Sequence, residues 1–156
     1  MKKVLLPVDG SIGCQKVLDT AEKLATNYDS VVTVFNVYDH PHSRNTDNFI
    51  PDENKTQEIS PNADSFIPQT DKPQNIVENE EMVAKTVEHL KGKGVKAEGK
   101  VVIGDPAAEI LDEAKNEGYD LVVMCTHGMS TSKRFLLGSV TNKVVHHIDI
   151  PIMIIR

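Results

Sequence analysis

Short apolar runs alternate with longer amphipathic segments along this chain, and that alternation restricts the possible folds more than any other feature. The runs VLLPV (4–8), VVTVFNV (31–37) and LVVMC (121–125) have the length and β-branched content of strands. Further strands are expected near 100–103 and at IMII (152–155). Strands that alternate with helices predict a doubly wound α/β fold, in which helices cover both faces of a parallel sheet.

Four segments between these runs carry apolar residues at helical spacing. They are Val17, Leu18, Ala21, Leu24 and Ala25; then Ile76, Val83, Val87 and Leu90; then Ala107, Ile110, Leu111 and Ala114; and lastly Val140, Val144, Val145 and Ile148. The second helix should end at Gly92 or Gly94. A chain of 156 residues can bury the core of one domain, so we expect a single domain over 1–156.

The last third of the chain contains a glycine turn that suits phosphate binding. LVVMC runs into Thr-His-Gly, and nine residues then separate Gly128 from Gly138 and Ser139, where a helix should begin. Glycines let main-chain N–H groups approach an anion, and the first turn of a helix offers unpaired N–H groups at the positive end of its dipole. The turn contains Lys133 and Arg134, and no acid occurs from 121 to 148. An ordinary capped helix is the competing interpretation.

These residues resemble the universal stress protein family in its nucleotide-binding branch. That branch carries G-x-x-G-x9-G-[S/T] after its fourth strand, and this chain matches at Gly128, Gly138 and Ser139, with Cys125 in place of the first glycine. KKVLLPVDGS is similar to the family's opening strand and turn. LLGSVTNKVVHHIDIPIMIIR is similar to its last helix and strand.

The resemblance implies a five-stranded, Rossmann-like sheet of order 3-2-1-4-5, with a ligand crevice between the first and fourth strands. It implies ATP, together with Mg²⁺, as a regulatory ligand that is hydrolysed slowly at most. It also implies a homodimer through the C-terminal strand. The residues assigned to nucleotide binding are Pro7, Val8, Asp9, Val37, Cys125, His127, Gly128, Arg134, Gly138, Ser139, Val140 and Thr141.

Individual assignments within this set leave alternatives open. Asp9 either accepts hydrogen bonds from the ribose or holds a turn in Asp-Gly-Ser. The main chain of Val37 matches the family position that meets adenine, while its side chain belongs to the core. Ser139 or Thr141 either caps the helix or donates a hydroxyl to phosphate. If the side chain of Cys125 crowds the ribose, the protein is instead a dimeric interaction module of the stress response that binds no nucleotide.

Residues 41–75 form an acidic insertion outside the resemblance. Residues 39–81 hold ten acids and three bases, or −7, which leaves about +1 for the rest of a chain whose net charge is −6. With five prolines between 41 and 73 and no periodicity, the insertion is expected to be disordered or a lid. Nothing resembles a nucleic-acid-binding stripe, a signal peptide or a membrane span, which favours a cytoplasmic protein.

Two further sequence patterns resemble binding motifs but are not predicted to be functional sites. Gly94 to Lys100 fits G-x4-G-K, but a phosphate loop must follow a strand and open a helix, whereas this segment precedes a strand; a helix-ending loop is expected instead. The histidine pairs at 40 and 42 and at 146 and 147 lack companion ligands at metal-binding spacing, so no metal site is predicted.

Overall fold

Strands and helices alternate throughout the computed structural model, which describes residues 1–11, 14–39, 74–126 and 137–156. In chain order the elements of these residues are β1 (Lys3–Pro7), α1 (Cys14–Tyr28), β2 (Val31–Tyr38), α2 (Gln74–Gly92), β3 (Lys96–Ile103), α3 (Pro106–Asn116), β4 (Leu121–Cys125), α4 (Ser139–His147) and β5 (Ile152–Ile155). The predicted insertion lies outside the described residues except at its end, where α2 begins at Gln74.

All neighbouring strands of the sheet run parallel, in the order β3-β2-β1-β4-β5. This order confirms the one that the family resemblance implies. β1 therefore lies at the centre, with β2 on one side and β4 on the other. The direction of winding reverses between β1 and β4, and in such sheets the ligand crevice opens beyond the carboxyl ends of these two strands.

The core consists of two apolar layers, one on each face of the sheet. Side chains of a strand alternate between faces, so Val4 and Leu6 of β1 pack with α1 and α2, while Leu5 packs with α3 and α4. The helical positions predicted from spacing supply most of the matching surface: Val17, Ala21, Ala25, Val83, Val87 and Leu90 on the first face, and Ala107, Ile110, Ala114 and Val144 on the second. Burial of each large aliphatic side chain stabilises the fold by about 1.5–3 kcal/mol.

The prediction for β3 was wrong at its start, because the strand begins at Lys96 and not near residue 100. β3 is an edge strand with few apolar residues, and its pairing with β2 continues along all eight residues, from Val31 opposite Lys96 to Tyr38 opposite Ile103. At Gly99 an added Cβ would lie 2.6 Å from a methyl carbon of Val83. Glycine there lets α2 lie close to the edge, and it also weakens the alternating pattern. The expected loop is confined to the turn at Gly94 (φ +82°).

A polar cluster around Glu113 fastens α3 to β3 and to the residues just before β4. The hydroxyl of Tyr119 donates to Glu113 Oε1 at 2.9 Å, and Lys100 Nζ donates to Glu113 Oε2 at 2.7 Å. Lys3 Nζ lies 4.6 Å from the centre of the Tyr119 ring. The hydrogen bond to Glu113 raises the pKa of Lys100, and burial raises the pKa of Tyr119. Both groups therefore keep their protons at neutral pH, and the carboxylate has a donor at each oxygen.

Among the described residues, no helix combines the length and the apolar content needed to cross a membrane.

Candidate functional site

The ends of β1, β2 and β4 and the start of α4 form the candidate site. Nine of the twelve predicted site residues fall within the described chain. His127, Gly128 and Arg134 lie outside it, so the structure does not test their assignment. The described part is built largely from main-chain groups, with few polar side chains.

Asp9 lies two residues after the end of β1 and stands exposed at the carboxyl edge of the sheet. Its Oδ1 accepts a hydrogen bond from the Ser11 N–H at 2.9 Å. Gly10 between them has φ +77°, a conformation that glycine adopts without a Cβ clash. Asp9 therefore holds the turn in Asp-Gly-Ser, which is one of its two predicted roles. The turn also holds the carboxylate at the carboxyl edge of the sheet.

β2 reaches further toward the crevice than β1 does. Its pairing with β1 stops at Pro7 opposite Phe35, and the Val8 N–H donates to the Phe35 carbonyl at 2.8 Å. Main-chain groups of a strand alternate in direction, so the N–H and C=O of Val37 point toward the β1 side, past the end of that pairing. The Val37 side chain packs on the α3–α4 face, as predicted.

Asn36 is a residue of this edge that the sequence reasoning missed. Its side chain is 4% exposed, and its Nδ2 donates to the Val8 carbonyl at 2.8 Å. Its Oδ1 is buried and has no hydrogen-bond partner among the described residues. The available signal was an amide within the apolar run VVTVFNV, because a buried asparagine requires partners.

The start of α4 carries the features expected of an anion site. Gly138 is the N-cap residue, and the helix has no side-chain hydrogen bond at that cap. The Gly138 N–H donates to the Thr126 carbonyl at 2.7 Å, which ties the helix to the end of β4. Ser139 is exposed in the first turn, and that turn contains no acid. The first N–H groups of the helix, together with its dipole, therefore form a positive end beside β4.

Thr141 joins the same two elements from within. It is 4% exposed, and its Oγ1 donates to the Cys125 carbonyl at 3.0 Å. Because the hydroxyl proton points to β4, Ser139 is the better placed of the two candidate hydroxyls for a phosphate oxygen. Cys125 itself is half-buried, and its side chain packs against the apolar cluster of the α1–α2 face.

The described part of the chain contains no group of three or more His, Cys, Asp or Glu residues arranged to hold a metal ion. His146 and His147 each place Nδ1 2.8 Å from a carbonyl oxygen of their own helix, those of Asn142 and Lys143. The crevice groups are a carboxylate, main-chain amides and a helix terminus. A helix terminus and main-chain N–H groups can bind an anion, whereas a carboxylate can accept hydrogen bonds from hydroxyl groups.

Comparison with known proteins extends the resemblance over the whole chain. The sequence profile of the universal stress protein family matches residues 1–156. Universal stress protein YxiE of Bacillus subtilis is 30% identical over 156 residues, which cover 99% of this chain and 98% of that protein.

Solved structures agree with the fold. A universal stress protein of Archaeoglobus fulgidus in complex with dAMP superposes with a TM-score of 0.66 at 19% identity, covering 100% of this chain and 98% of the other. A universal stress protein in complex with cAMP superposes with a TM-score of 0.67 at 18% identity, covering 99% and 96%.

Proposed function

Because the chain belongs to the universal stress protein family, we propose that it binds ATP as a regulatory ligand in the crevice between β1 and β4. The observation that carries this proposal is the start of α4. Its first turn has no side-chain cap, contains no acid and is tied to the end of β4 through Gly138. A helix terminus in that position attracts phosphate groups.

The family relatives solved with cAMP and dAMP support an adenine nucleotide as the ligand class. In the proposed complex the main chain of Val37 meets the adenine and Asp9 accepts hydrogen bonds from the ribose. The main-chain N–H groups of Ser139 and Val140 bind phosphate oxygens, and the phosphates carry Mg²⁺. His127, Gly128 and Arg134 complete the site in this proposal.

The packing of Cys125 supports binding in spite of the missing glycine. Its side chain contacts the α1–α2 core cluster, and the Thr141 bond holds its carbonyl, so the end of β4 keeps a defined position. A ligand that contacts only the main chain there does not require glycine. Since the groups of the crevice bind and orient, we assign ATP the role of a ligand that is hydrolysed slowly at most.

The edge position of β5 supports a homodimer. β5 pairs with β4 on one side, and its residues Ile152 to Ile155 are only half-buried. An apolar edge strand of this kind tends to pair with another chain. We propose that a second copy covers it. The same surface would serve the alternative function, that of a dimeric interaction module without nucleotide.

Calorimetric titration of Mg-ATP into nucleotide-free protein tests the proposal. Gly138→Val should abolish binding, because a branched side chain at the N-cap would alter the close approach of phosphate to the backbone. Gly92→Val is the matched control: Gly92 ends α2 at the opposite end of the sheet, and an added Cβ meets nothing within 4 Å.

Micromolar binding in the wild type and in Gly92→Val, with loss in Gly138→Val, would support the phosphate position. Absence of binding in the wild type would refute the ATP proposal and favour the interaction module. Equal binding in all three proteins would mean that the phosphates lie elsewhere.

A further inference from the structure

Asn36 places a buried side-chain amide at the edge of the crevice. Of its two polar atoms, only the nitrogen has a hydrogen-bond partner among the described residues. The Nδ2 donates to the Val8 carbonyl, which is 28 positions earlier in the chain, while Oδ1 has no partner. The orientation of the amide follows from this contact, because the reverse orientation would place Oδ1 against the carbonyl oxygen. A leucine of similar shape would avoid the cost of burying an unsatisfied oxygen. The unsatisfied oxygen therefore points to a functional role for Asn36.

The position of the Asn36 amide beside the β1–β2 ladder indicates what this role is. In a parallel ladder a residue donates to one residue of the neighbouring strand and accepts from the residue two positions further on. The Val8 N–H donates to Phe35, so the next bond of the ladder would run from the Val37 N–H to the Val8 carbonyl. Among the backbone hydrogen bonds of the described chain that bond is not formed. The Asn36 side chain donates to the Val8 carbonyl in its place.

We propose that Asn36 is a positioning residue that ends the β1–β2 ladder one bond early and so keeps the Val37 N–H available to a purine base. The inference rests on the proposed nucleotide site and names what makes it specific for adenine. N1 of adenine is a hydrogen-bond acceptor and suits the Val37 N–H. N1 of hypoxanthine carries a proton and does not. Asn36 itself does not contact the base in this proposal.

Replacement of Asn36 by leucine tests this role through base discrimination. Wild type and Asn36→Leu are titrated with Mg-ATP, with Mg-ITP and with inorganic tripolyphosphate. The wild type should prefer ATP over ITP by about tenfold, the amount expected of one hydrogen bond. In Asn36→Leu the ladder bond closes, so the preference should fall close to one while tripolyphosphate affinity stays unchanged.

Thr33→Val is the matched control on the same strand. Thr33 is 2% exposed, and its hydroxyl donates to Glu98 Oε1 at 2.8 Å, toward β3 and away from the crevice. This variant also loses one buried hydrogen bond and should keep the wild-type preference for ATP. A merely structural role of Asn36 would make the two variants behave alike, and that result would overturn the inference.

Amide hydrogen exchange of Val37 tests the missing ladder bond without any ligand. The Val37 N–H of the free wild type should exchange at least about tenfold faster than that of Phe35, and faster than the same N–H in Asn36→Leu. Strong protection of Val37 in the free wild type would overturn the inference even if the variant did not fold. If the wild type bound no ATP but showed the predicted exchange, the ATP proposal would fail while the effect of Asn36 on the ladder would stand.

Discussion

The polar cluster around Glu113 and the carboxyl end of the sheet differ in how completely their polar groups are hydrogen-bonded. In the Glu113 cluster, each oxygen of the carboxylate has a donor, one from Tyr119 and one from Lys100. At the carboxyl end, Asn36 Oδ1 has no partner among the described residues and the start of α4 has no side-chain cap. Polar groups that are hydrogen-bonded within the protein stabilise the folded chain. Buried polar groups without a partner reduce its stability, but they can form hydrogen bonds with a ligand. The Glu113 cluster therefore contributes to the stability of the fold, and the unpaired groups at the carboxyl end are the ones that the proposed ligand would use.

The largest effect should follow from breaking the Glu113 cluster. Glu113→Ala leaves the buried Tyr119 hydroxyl without its acceptor, while Lys100, whose side chain is 44% exposed, turns to water. We expect a loss of about 2–3 kcal/mol in the free energy of unfolding, measured by urea denaturation. Nucleotide affinity of the folded fraction should stay at the wild-type value.

Asp112→Ala on the exposed side of the same helix is the control and should change the free energy of unfolding by less than about 0.5 kcal/mol. Equal losses in the two variants would mean that the Glu113 cluster adds nothing to stability.

A smaller effect on stability is expected from replacing either of two buried threonines, Thr141 and Thr33, and nucleotide binding should distinguish the two variants. Thr141→Val and Thr33→Val each remove one hydroxyl bond, to the Cys125 carbonyl and to Glu98 respectively. Each should cost about 1 kcal/mol of stability. Only Thr141→Val should also weaken nucleotide binding, because its bond fixes the start of α4 against β4. Thermal melts with and without Mg-ATP measure both quantities. An equal ligand-induced rise in Tm for the two variants would contradict the role of Thr141 in fixing the start of α4 for the ligand.

The smallest effect is a pH dependence at the amino end. The main-chain N–H groups of Lys2 and Lys3 donate to the Asp120 carboxylate and hold its pKa below the ordinary value. This carboxylate therefore stabilises the fold at pH above its unfolded-state pKa of about 4, and the contribution is lost as pH falls through the lower folded-state pKa.

Asp120→Asn should lower Tm slightly at neutral pH, and its difference from the wild type should shrink as pH falls below about 4. Melting curves across that range measure the difference. A constant gap at all pH values would show that ionisation of Asp120 does not contribute.

The apolar face of α2 was predictable residue by residue, whereas in α4 only Val144 of the predicted positions is buried and Ile148 lies beyond the end of the helix. Ile76, Val83, Val87 and Leu90 are the buried residues of α2, as their spacing predicted, because a 3.6-residue period places them on one side of any helix. The strand order was predictable only through the family resemblance, since neighbouring strands in a parallel sheet need not be consecutive in the chain. The start of β3 was not predictable, because an edge strand containing lysines and a glycine lacks the alternation that identifies a strand.

For the candidate site, the positions at the ends of β1 and β4 and at the start of α4 could be inferred from glycines and strand ends. The hydrogen bonds of Asn36 and Thr141 could not, because their acceptors lie 28 and 16 positions away in the chain. Whether a hydroxyl or amide faces a ligand or a distant carbonyl depends on which elements pack together.

By itself the sequence determined the alternation of strands and helices, the apolar helix faces and the start of the last helix after Gly138, because all three arise from residues close together in the chain. The tertiary structure alone decided which polar groups are satisfied. It pairs the Glu113 carboxylate with Lys100 and Tyr119, and it directs the Asn36 amide to Val8 at the edge of the crevice. The physical reason is that a hydrogen bond depends on distance and direction in space, which local composition does not specify.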